Sequence, residues 1–199
     1  MSIWAIVPVK PFSQSKTRLA PILSPEERIG LSREFLTQAL SVLTQSALID
    51  QIVVISRDAD ARALARQWGA MALPEADNSD LNIALTHATD CALAEGAQAV
   101  LALPTDLPLL SAEAVSQLMD ADIKPTISIA PDRHATGTNA LFIRPPGFIP
   151  YAFGAGSFQR HLALAAQAGV PARICRLSAL ALDIDTPEDL HLLRVTQRL

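Results

Sequence analysis

AVLALPTDLPLL, residues 99–110, is the stretch on which the fold of this chain turns. Its opening run, Ala99 to Leu103, carries no charge and leads straight into Pro-Thr-Asp-Leu-Pro. That is the pattern of a short strand buried on both faces and closed by a turn. Asp106 then stands at the carboxyl end of a central strand. Ligands collect at that edge of an open α/β sheet, because its loops face a crevice between helices on opposite sides. Pro104 and Pro108 stiffen the turn and limit the freedom of the carboxylate. Capping of the following helix, over 112–121, falls to Ser111 instead. Asp106 is therefore the first candidate for chemistry, as a metal ligand.

Outward from this stretch, strand and helix signals alternate. Residues 3–9, 51–56 (QIVVIS) and 70–73 read as strands before it, and 126–130 and 140–143 as strands after it. Ser24-Pro25-Glu26-Glu27 opens a helix twice over, as a capping box and as a proline at the first helical position. The apolar positions Ile29, Leu36, Leu40 and Leu43 carry that helix to about residue 45. Asp58 caps a second helix that stops at Gly69, and 81–95 is a third, closed by Gly96. Such alternation implies right-handed crossovers and a mostly parallel sheet.

At 199 residues, half of them apolar, the chain suits one domain, 1–199, with a substantial core. No run approaches the roughly 18 apolar residues of a membrane helix, and MSIWAIVPVK has no basic region ahead of its apolar run, so a cytoplasmic protein without membrane partners is expected. A net charge of −4 argues against a general nucleic-acid binder. Cys91 and Cys175 stand far apart without neighbouring metal-type ligands and read as buried thiols.

Four segments carry candidate chemistry. The long loop 10–24 holds Lys10, Lys16 and Arg18 with Ser13, Ser15 and Thr17 between them, and a loop of that length past a strand is commonly functional. Its cations and backbone N–H groups suit a polyphosphate; a solvated loop is the alternative. Asn82, near a helix start, could bond a base or sugar or cap its helix. Thr136-Gly137-Thr138-Asn139 has the donors of a small anion pocket, although a hairpin turn uses the same residues. Gly154 and Gly156 precede Ser157 at a helix start, where freed N–H groups form an anion site, with Arg160 and His161 one turn along.

The last segment is ALDIDTPEDL, residues 181–190. Asp183 and Asp185 lie one residue apart, so in an extended segment both carboxylates point to one side, and Thr186 takes the cap of the closing helix. With Asp106 they make three acids that would repel one another without a cation. Hard oxygen ligands select Mg2+ or Mn2+ over zinc. A cation-bound polyphosphate opposite basic residues points to phosphoryl or nucleotidyl transfer, and the lack of a GxxxxGK[ST] loop argues against a P-loop phosphotransferase.

VPVKPFSQSKTRLAP, LPTDLPLL, DRHATGTNAL, FGAGSFQRH and LDIDTPEDL, in this order over nearly the whole chain, resemble the guanylyltransferase family of deazaflavin coenzyme (factor 420) biosynthesis. The resemblance implies a nucleotidyltransferase fold of the glycosyltransferase-A type, a three-layer α/β/α sandwich with a mostly parallel central sheet. It implies condensation of GTP with 2-phospho-L-lactate, phosphoenolpyruvate or 3-phospho-D-glycerate, release of pyrophosphate, and a product passed to a downstream deazaflavin transferase. Carried over by motif, Asp106, Asp183 and Asp185 would ligate metal, and Thr138, Gly154 and Ser157 would bind the acceptor. Lys10, Lys16 and Arg18 would take the triphosphate. KPFSQSKTRL replaces the glycine-rich signature loop of sugar and molybdopterin nucleotidyltransferases, which argues against a sugar acceptor; those enzymes, and a GTP-binding module without turnover, are the alternatives. The choice among the three acids, guanine recognition, the role of His134 and the oligomeric state, a homodimer included, are open at this point.

Overall fold

The computed structural model describes residues 2–77, 79–120 and 125–196. β1 (Ile3–Pro8), β2 (Gln51–Ser56), β3 (Met71–Pro74), β4 (Ala99–Ala102), β5 (Thr126–Pro131), β6 (Thr138–Arg144) and β7 (Arg173–Ile174) form one sheet in the order β3-β2-β1-β4-β6-β5-β7. β1 pairs in parallel with β2 and β4, and β2 with β3. β6 alone is reversed, antiparallel to both β4 and β5. Plain alternation of strands and helices does not foresee that reversal. Its cause is the short 132–137 connection, which can join antiparallel strands only, since a parallel crossover needs a dozen residues or more.

Helices α1 (Pro25–Gln45), α2 (Ala59–Gln67), α3 (Leu81–Ala94), α4 (Ala112–Met119), α5 (Ser157–Gln167), α6 (Ser178–Ala181) and α7 (Pro187–Thr196) complete the chain. The expected end of α4, at 121, lies outside the described residues, and the helix itself closes at Met119. Alternate residues of β1 enter different cores. Ile3, Ala5 and Val7 pack with Leu36, Leu40 and Val115 on one side of the sheet. Trp4 and Ile6 pack with Leu85, Ala88 and Phe158 on the other. Because side chains of a strand alternate between faces, a strand apolar at every position must be covered twice, and three layers result.

The starts of the helices are fixed as their sequences direct. Ser24 N donates to Glu27 Oε2 at 2.7 Å while Glu27 N donates to Ser24 Oγ at 3.2 Å, the reciprocal bonds of a capping box. Asp58 Oδ1 accepts from Asp60 N at 2.9 Å, and its Oδ2 accepts from Phe12 N at 2.7 Å. The cap of α2 thus also holds down loop 10–24. A third, smaller core of Leu19, Phe35, Leu182, Ile184, Leu190 and Leu193 lies under that loop and joins it to α7. Each such buried side chain contributes roughly 1.5–3 kcal/mol, so the loop is anchored at several points despite its length.

Candidate active site

Asp106 stands four residues past the end of β4, and its backbone carbonyl accepts from Ile184 N at 3.0 Å. That bond brings the 182–186 segment alongside the sheet edge. Ile184 is fully buried in the third core, so Asp183 and Asp185, each one residue away, turn to the opposite side of the extended chain. Two side chains then hold these acids. Asn139, buried in β6, donates through Nδ2 to Leu180 O at 2.9 Å and to Asp183 Oδ1 at 3.3 Å. Asp189 Oδ2 accepts from Asp185 N at 3.0 Å, Thr186 N at 2.7 Å and Thr186 Oγ1 at 2.9 Å. Its Oδ1 meets Arg133 Nη1 at 2.6 Å. Thr186 is the helix cap, as its sequence position indicates, but the box is closed by Asp189, a residue that the sequence shows only as one acid among several.

Lys16 occupies the centre of the cluster. Its backbone is left-handed, φ 53°, an uncommon state for a residue with a side chain. Nζ lies 2.8 Å from Asp106 Oδ2 and 3.3 Å from Asp185 Oδ1, with the side chain only 8% exposed. Burial alone would lower the lysine pKa, but the facing carboxylates of Asp106 and Asp185 more than reverse this and hold it above its ordinary value. The Asp183 carboxyl is pushed up by burial and by the charge of Asp106, against the opposing hydrogen bond from Asn139.

Three acids without compensation are what the sequence suggests. In the structure an ammonium compensates two of them, and among the described residues no group of three or more His, Cys, Asp and Glu stands ready to hold a metal ion. The donors nonetheless fit Mg2+ or Mn2+. All three are hard carboxylate oxygens, and a cationic group already sits between Asp106 and Asp185.

A cavity of about 370 Å³ opens beside this cluster. Lys10, Lys16, Asp106 and Asp185 line one end, and Arg57, Glu75, Ser79 and Asp80 the other. Val9, Phe35, Leu81 and Ala84 add apolar wall to the same cavity. Lys10 is exposed at the rim, whereas Arg18 projects outside with its side chain 74% exposed, 3.8 Å from Asp185 Oδ2. The polar end formed by Glu75 is not apparent in the sequence, where 74–80 reads only as an acidic turn. Its position just beyond β3, at the same sheet edge as Asp106, is the signal that could have found it.

The two glycine-containing turns are arranged differently. Asp132 fills the concavity of the first: Oδ1 accepts from His134 N at 3.0 Å and Thr136 N at 2.9 Å, and Oδ2 from Thr136 Oγ1 at 3.0 Å and Gly137 N at 2.7 Å. Burial would raise this carboxyl, but the Thr136 and Gly137 N–H groups hold it below the usual range. A Cβ at Gly137 would stand 2.7 Å from Asp132 Oδ2, so a larger residue there would displace the Asp132 carboxylate from its hydrogen bonds. The anion pocket expected at 136–139 is real in its chemistry, and the anion is the chain's own. At the second turn Ser157 N donates to Gly154 O at 3.0 Å and Phe158 N to Thr136 O at 3.2 Å, so the first N–H groups of α5 are already engaged.

Thr138 and Ser157, both buried, meet across these turns. Thr138 N donates to Ser157 Oγ at 2.9 Å, and Thr138 Oγ1 lies 2.9 Å from His161 Nδ1. His161 Nε2 accepts from Ala152 N at 3.0 Å. That second bond fixes the tautomer: Nε2 is unprotonated, so Nδ1 carries the hydrogen and donates to Thr138 Oγ1. Both hydroxyls therefore serve as acceptors, and both keep their own hydrogen for donation. Burial, with Arg160 nearby, lowers the His161 pKa to about 4 and keeps the ring neutral.

Asn82 neither caps its helix nor faces the cavity. Asp80 is the cap, and Asn82 clasps the backbone of Phe153, with Oδ1 accepting from its N at 2.7 Å and Nδ2 donating to its O at 3.3 Å. Arg160 Nη2 donates to the same carbonyl at 3.1 Å. His134, exposed, accepts from Arg133 Nε at 2.9 Å.

An acid pair bridged by lysine at the carboxyl edge of β4, beside a cavity, and a hydroxyl pair at the start of β6 are thus built from all five motifs of the sequence. A family model described as Guanylyl transferase CofC like matches residues 3–196. The chain belongs to that family. The phosphoenolpyruvate guanylyltransferase of Rubrobacter xylanophilus is 42% identical over 191 residues, covering 96% of this chain and 92% of the relative. The 2-phospho-L-lactate guanylyltransferase of Methanothermobacter thermautotrophicus is 36% identical over 190 residues, covering 96% of this chain and 83% of the relative. In fold, a solved structure named as a nucleotide-diphospho-sugar transferase from Desulfovibrio desulfuricans G20 matches with a TM-score of 0.83 at 22% identity, over 100% of this chain and 89% of that one. The family's fold is the nucleotidyltransferase sandwich of the glycosyltransferase-A type, with the mixed sheet described above.

Proposed function

We propose that the protein transfers GMP from GTP to a small phosphorylated carboxylic acid and releases pyrophosphate. The observation that carries this reading is the Lys16 bridge between Asp106 and Asp185 at one end of a nucleotide-sized cavity, in a chain whose relatives bear the names of such guanylyltransferases. Phosphoenolpyruvate, 2-phospho-L-lactate and 3-phospho-D-glycerate are the candidate acceptors. They differ by one or two atoms beside a common phosphate and carboxylate, a difference that a pocket discriminates only modestly.

The chemistry asks for positioning and charge more than for a protein nucleophile. The acceptor phosphate is anionic near neutral pH, so one of its oxygens attacks the α-phosphorus of GTP without a general base. The bond from that phosphorus to the bridging oxygen breaks, and the electron pair leaves with pyrophosphate. Lys16, with Lys10 at the rim and Arg18 outside, offsets the charge that accumulates on the leaving group. Asp106, Asp183 and Asp185 would hold Mg2+ or Mn2+, which supplies Lewis-acid neutralisation of the phosphate oxygens when bound. Thr138 and Ser157 would give their remaining hydroxyl hydrogens to the acceptor, close to Gly154, which carries no side chain to obstruct it.

The test is pyrophosphate release measured for GTP, ATP, CTP and UTP against each of the three acids, with and without Mg2+. Turnover confined to GTP plus at least one acid is the expected result. Turnover with sugar phosphates and none of the acids would replace this reading by a sugar nucleotidyltransferase. The product would then pass to a transferase that attaches it to a deazaflavin, in the cytoplasm; among the described residues no helix is long and apolar enough to cross a membrane.

A further inference from the structure

The cavity has two polar ends, and the phosphate chemistry uses only one. The other is built from Glu75, at the residue after β3, and Arg57, at the residue after β2. Three strand-to-strand steps separate Glu75 from Asp106 along the sheet edge, about 14 Å at the usual spacing. Val9, Leu81 and Ala84 give the cavity apolar wall. A phosphate chain at Asp106 and Lys16 therefore projects its nucleoside toward Glu75.

What Glu75 and Arg57 present there is specific. Ser79 Oγ donates to Glu75 Oε1 at 2.7 Å, which fixes the carboxylate in place and uses only one of its acceptor sites. Arg57 Nε lies 3.6 Å from Glu75 Oε2 and makes no hydrogen bond. Its Nη1 donates to Asp77 O at 2.7 Å. Glu75 is thus left with free acceptor sites, and the Arg57 guanidinium lies beside it with Nε turned toward Glu75 Oε2, the two side chains 9% and 32% exposed.

We propose that Glu75 and Arg57 read the base and select guanine, an inference that deepens the GTP reading above. The Watson–Crick edge of guanine presents two adjacent donors, N1–H and the exocyclic N2 amine, followed by the O6 carbonyl. The Glu75 carboxylate takes the donors, and the Arg57 guanidinium takes O6. Adenine reverses the polarity, setting the N1 lone pair against the carboxylate and the N6 amine against the guanidinium. Uracil offers one donor between two carbonyls, and cytosine one amine beside a lone pair. Only guanine matches the acceptor and donor order of this pair. A ribose hydroxyl would also bond a carboxylate, but it gives Arg57 no role and carries no information on the base.

The decisive measurement is nucleotide binding by calorimetry, with GTP, inosine triphosphate and ATP as probes. Inosine triphosphate lacks only the N2 amine. The parent protein is expected to favour GTP over inosine triphosphate by about 10- to 150-fold, the range for one hydrogen bond to a charged group. In Glu75→Gln that ratio should fall at least about fivefold, since the amide oxygen left to accept from N2 is uncharged and its bond weaker. Arg57→Met, read in the same way, should reduce the preference for GTP over ATP at least tenfold, and it keeps the test open if Glu75→Gln does not fold. An unchanged ratio of GTP to inosine triphosphate in folded Glu75→Gln, or an equal loss for all three nucleotides, overturns the assignment. A parent that discriminates bases and loses this in Glu75→Gln, yet releases no pyrophosphate with any acid, would leave the base-reading pair intact and defeat the transferase reading instead.

Discussion

The turn after β4 and the hairpin joining β5 to β6 both bring carboxylates and donors together at the same edge of the sheet, and they satisfy them in opposite ways. At the hairpin the carboxylate is satisfied locally: Asp132 takes four hydrogen bonds from residues within five positions of itself. At the β4 turn the partners come from afar. Lys16 reaches Asp106 across ninety positions, and Ile184 supplies the backbone bond. Locally closed networks are stable whether or not a substrate is bound. Networks closed by one flexible side chain can exchange that side chain for a ligand's charge. On the proposed function, the hairpin is scaffold for Thr138 and the β4 turn is where charge would be exchanged with the substrate.

The largest effect that this contrast predicts is at Lys16. Lys16→Met keeps the aliphatic stem over Phe35, whose ring centre lies 5.8 Å from Nζ, and removes only the charge. Turnover should fall by about 100- to 1,000-fold, as when one charge-stabilising donor is lost from a transition state. Thermal stability should change little, because Asp106 and Asp185 are 24% and 46% exposed and can hydrate. Arg18→Ala, far more exposed, should cost only a few-fold in rate. Steady-state kinetics beside melting curves would show it, and a large loss of stability with normal turnover would make Lys16 a structural ion-pair residue.

Next in size is Thr138→Val. The valine keeps the shape and removes the hydroxyl whose hydrogen the His161 tautomer leaves free. The Michaelis constant for the phosphorylated acid should rise by about 10- to 150-fold with that for GTP nearly unchanged. His161→Gln should share part of the defect, since it no longer orients Thr138. Because the folded-state pKa of His161, about 4, is depressed below its ordinary 6.5, its contribution to stability is present above pH 6.5 and lost as pH falls toward 4. Chemical denaturation across that window should show the slope in the parent and a weaker one in His161→Gln. A defect in GTP use alone would exchange the two halves of the site.

How far sequence reading reaches is itself set by range. Asp106 is legible because its placement follows from neighbours: an uncharged run, two prolines and a competing cap at Ser111. Asp183 and Asp185 are legible for the same reason, since their spacing alone aligns them. The order of strands β1 to β4 and the helices between them follow from periodicity. What escapes is whatever depends on distant partners. Nothing near Lys16 announces that its ammonium will lie against Asp106 and Asp185. Nothing near Asn82 announces Phe153. The reversed β6 was hidden for a different reason, because an alternating pattern of strands says which residues face the core but not the direction of the strand.

The smallest effect tests the scaffold itself. Asp132→Ala removes a half-buried carboxylate that four donors share, three of them backbone N–H groups that water can reach only in part. A single hydrogen bond to a charged group contributes about 1.5–3 kcal/mol, and partial exposure lets water replace most of them, so a loss of about 1–2 kcal/mol is expected. The sign of its pH dependence follows from the lowered pKa. The carboxylate is stabilising above its ordinary value of 3.8, and that contribution disappears as pH falls below it, so Asp132→Ala should converge on the parent in strong acid. Kinetics at pH 7 should be disturbed chiefly through the acceptor, because the hairpin carries Thr138 and reaches the lysine–acid cluster only indirectly, through Arg133 and Asp189. If Asp132→Ala instead loses affinity for GTP at unchanged stability, the hairpin is not a closed scaffold and the contrast between the two turns fails.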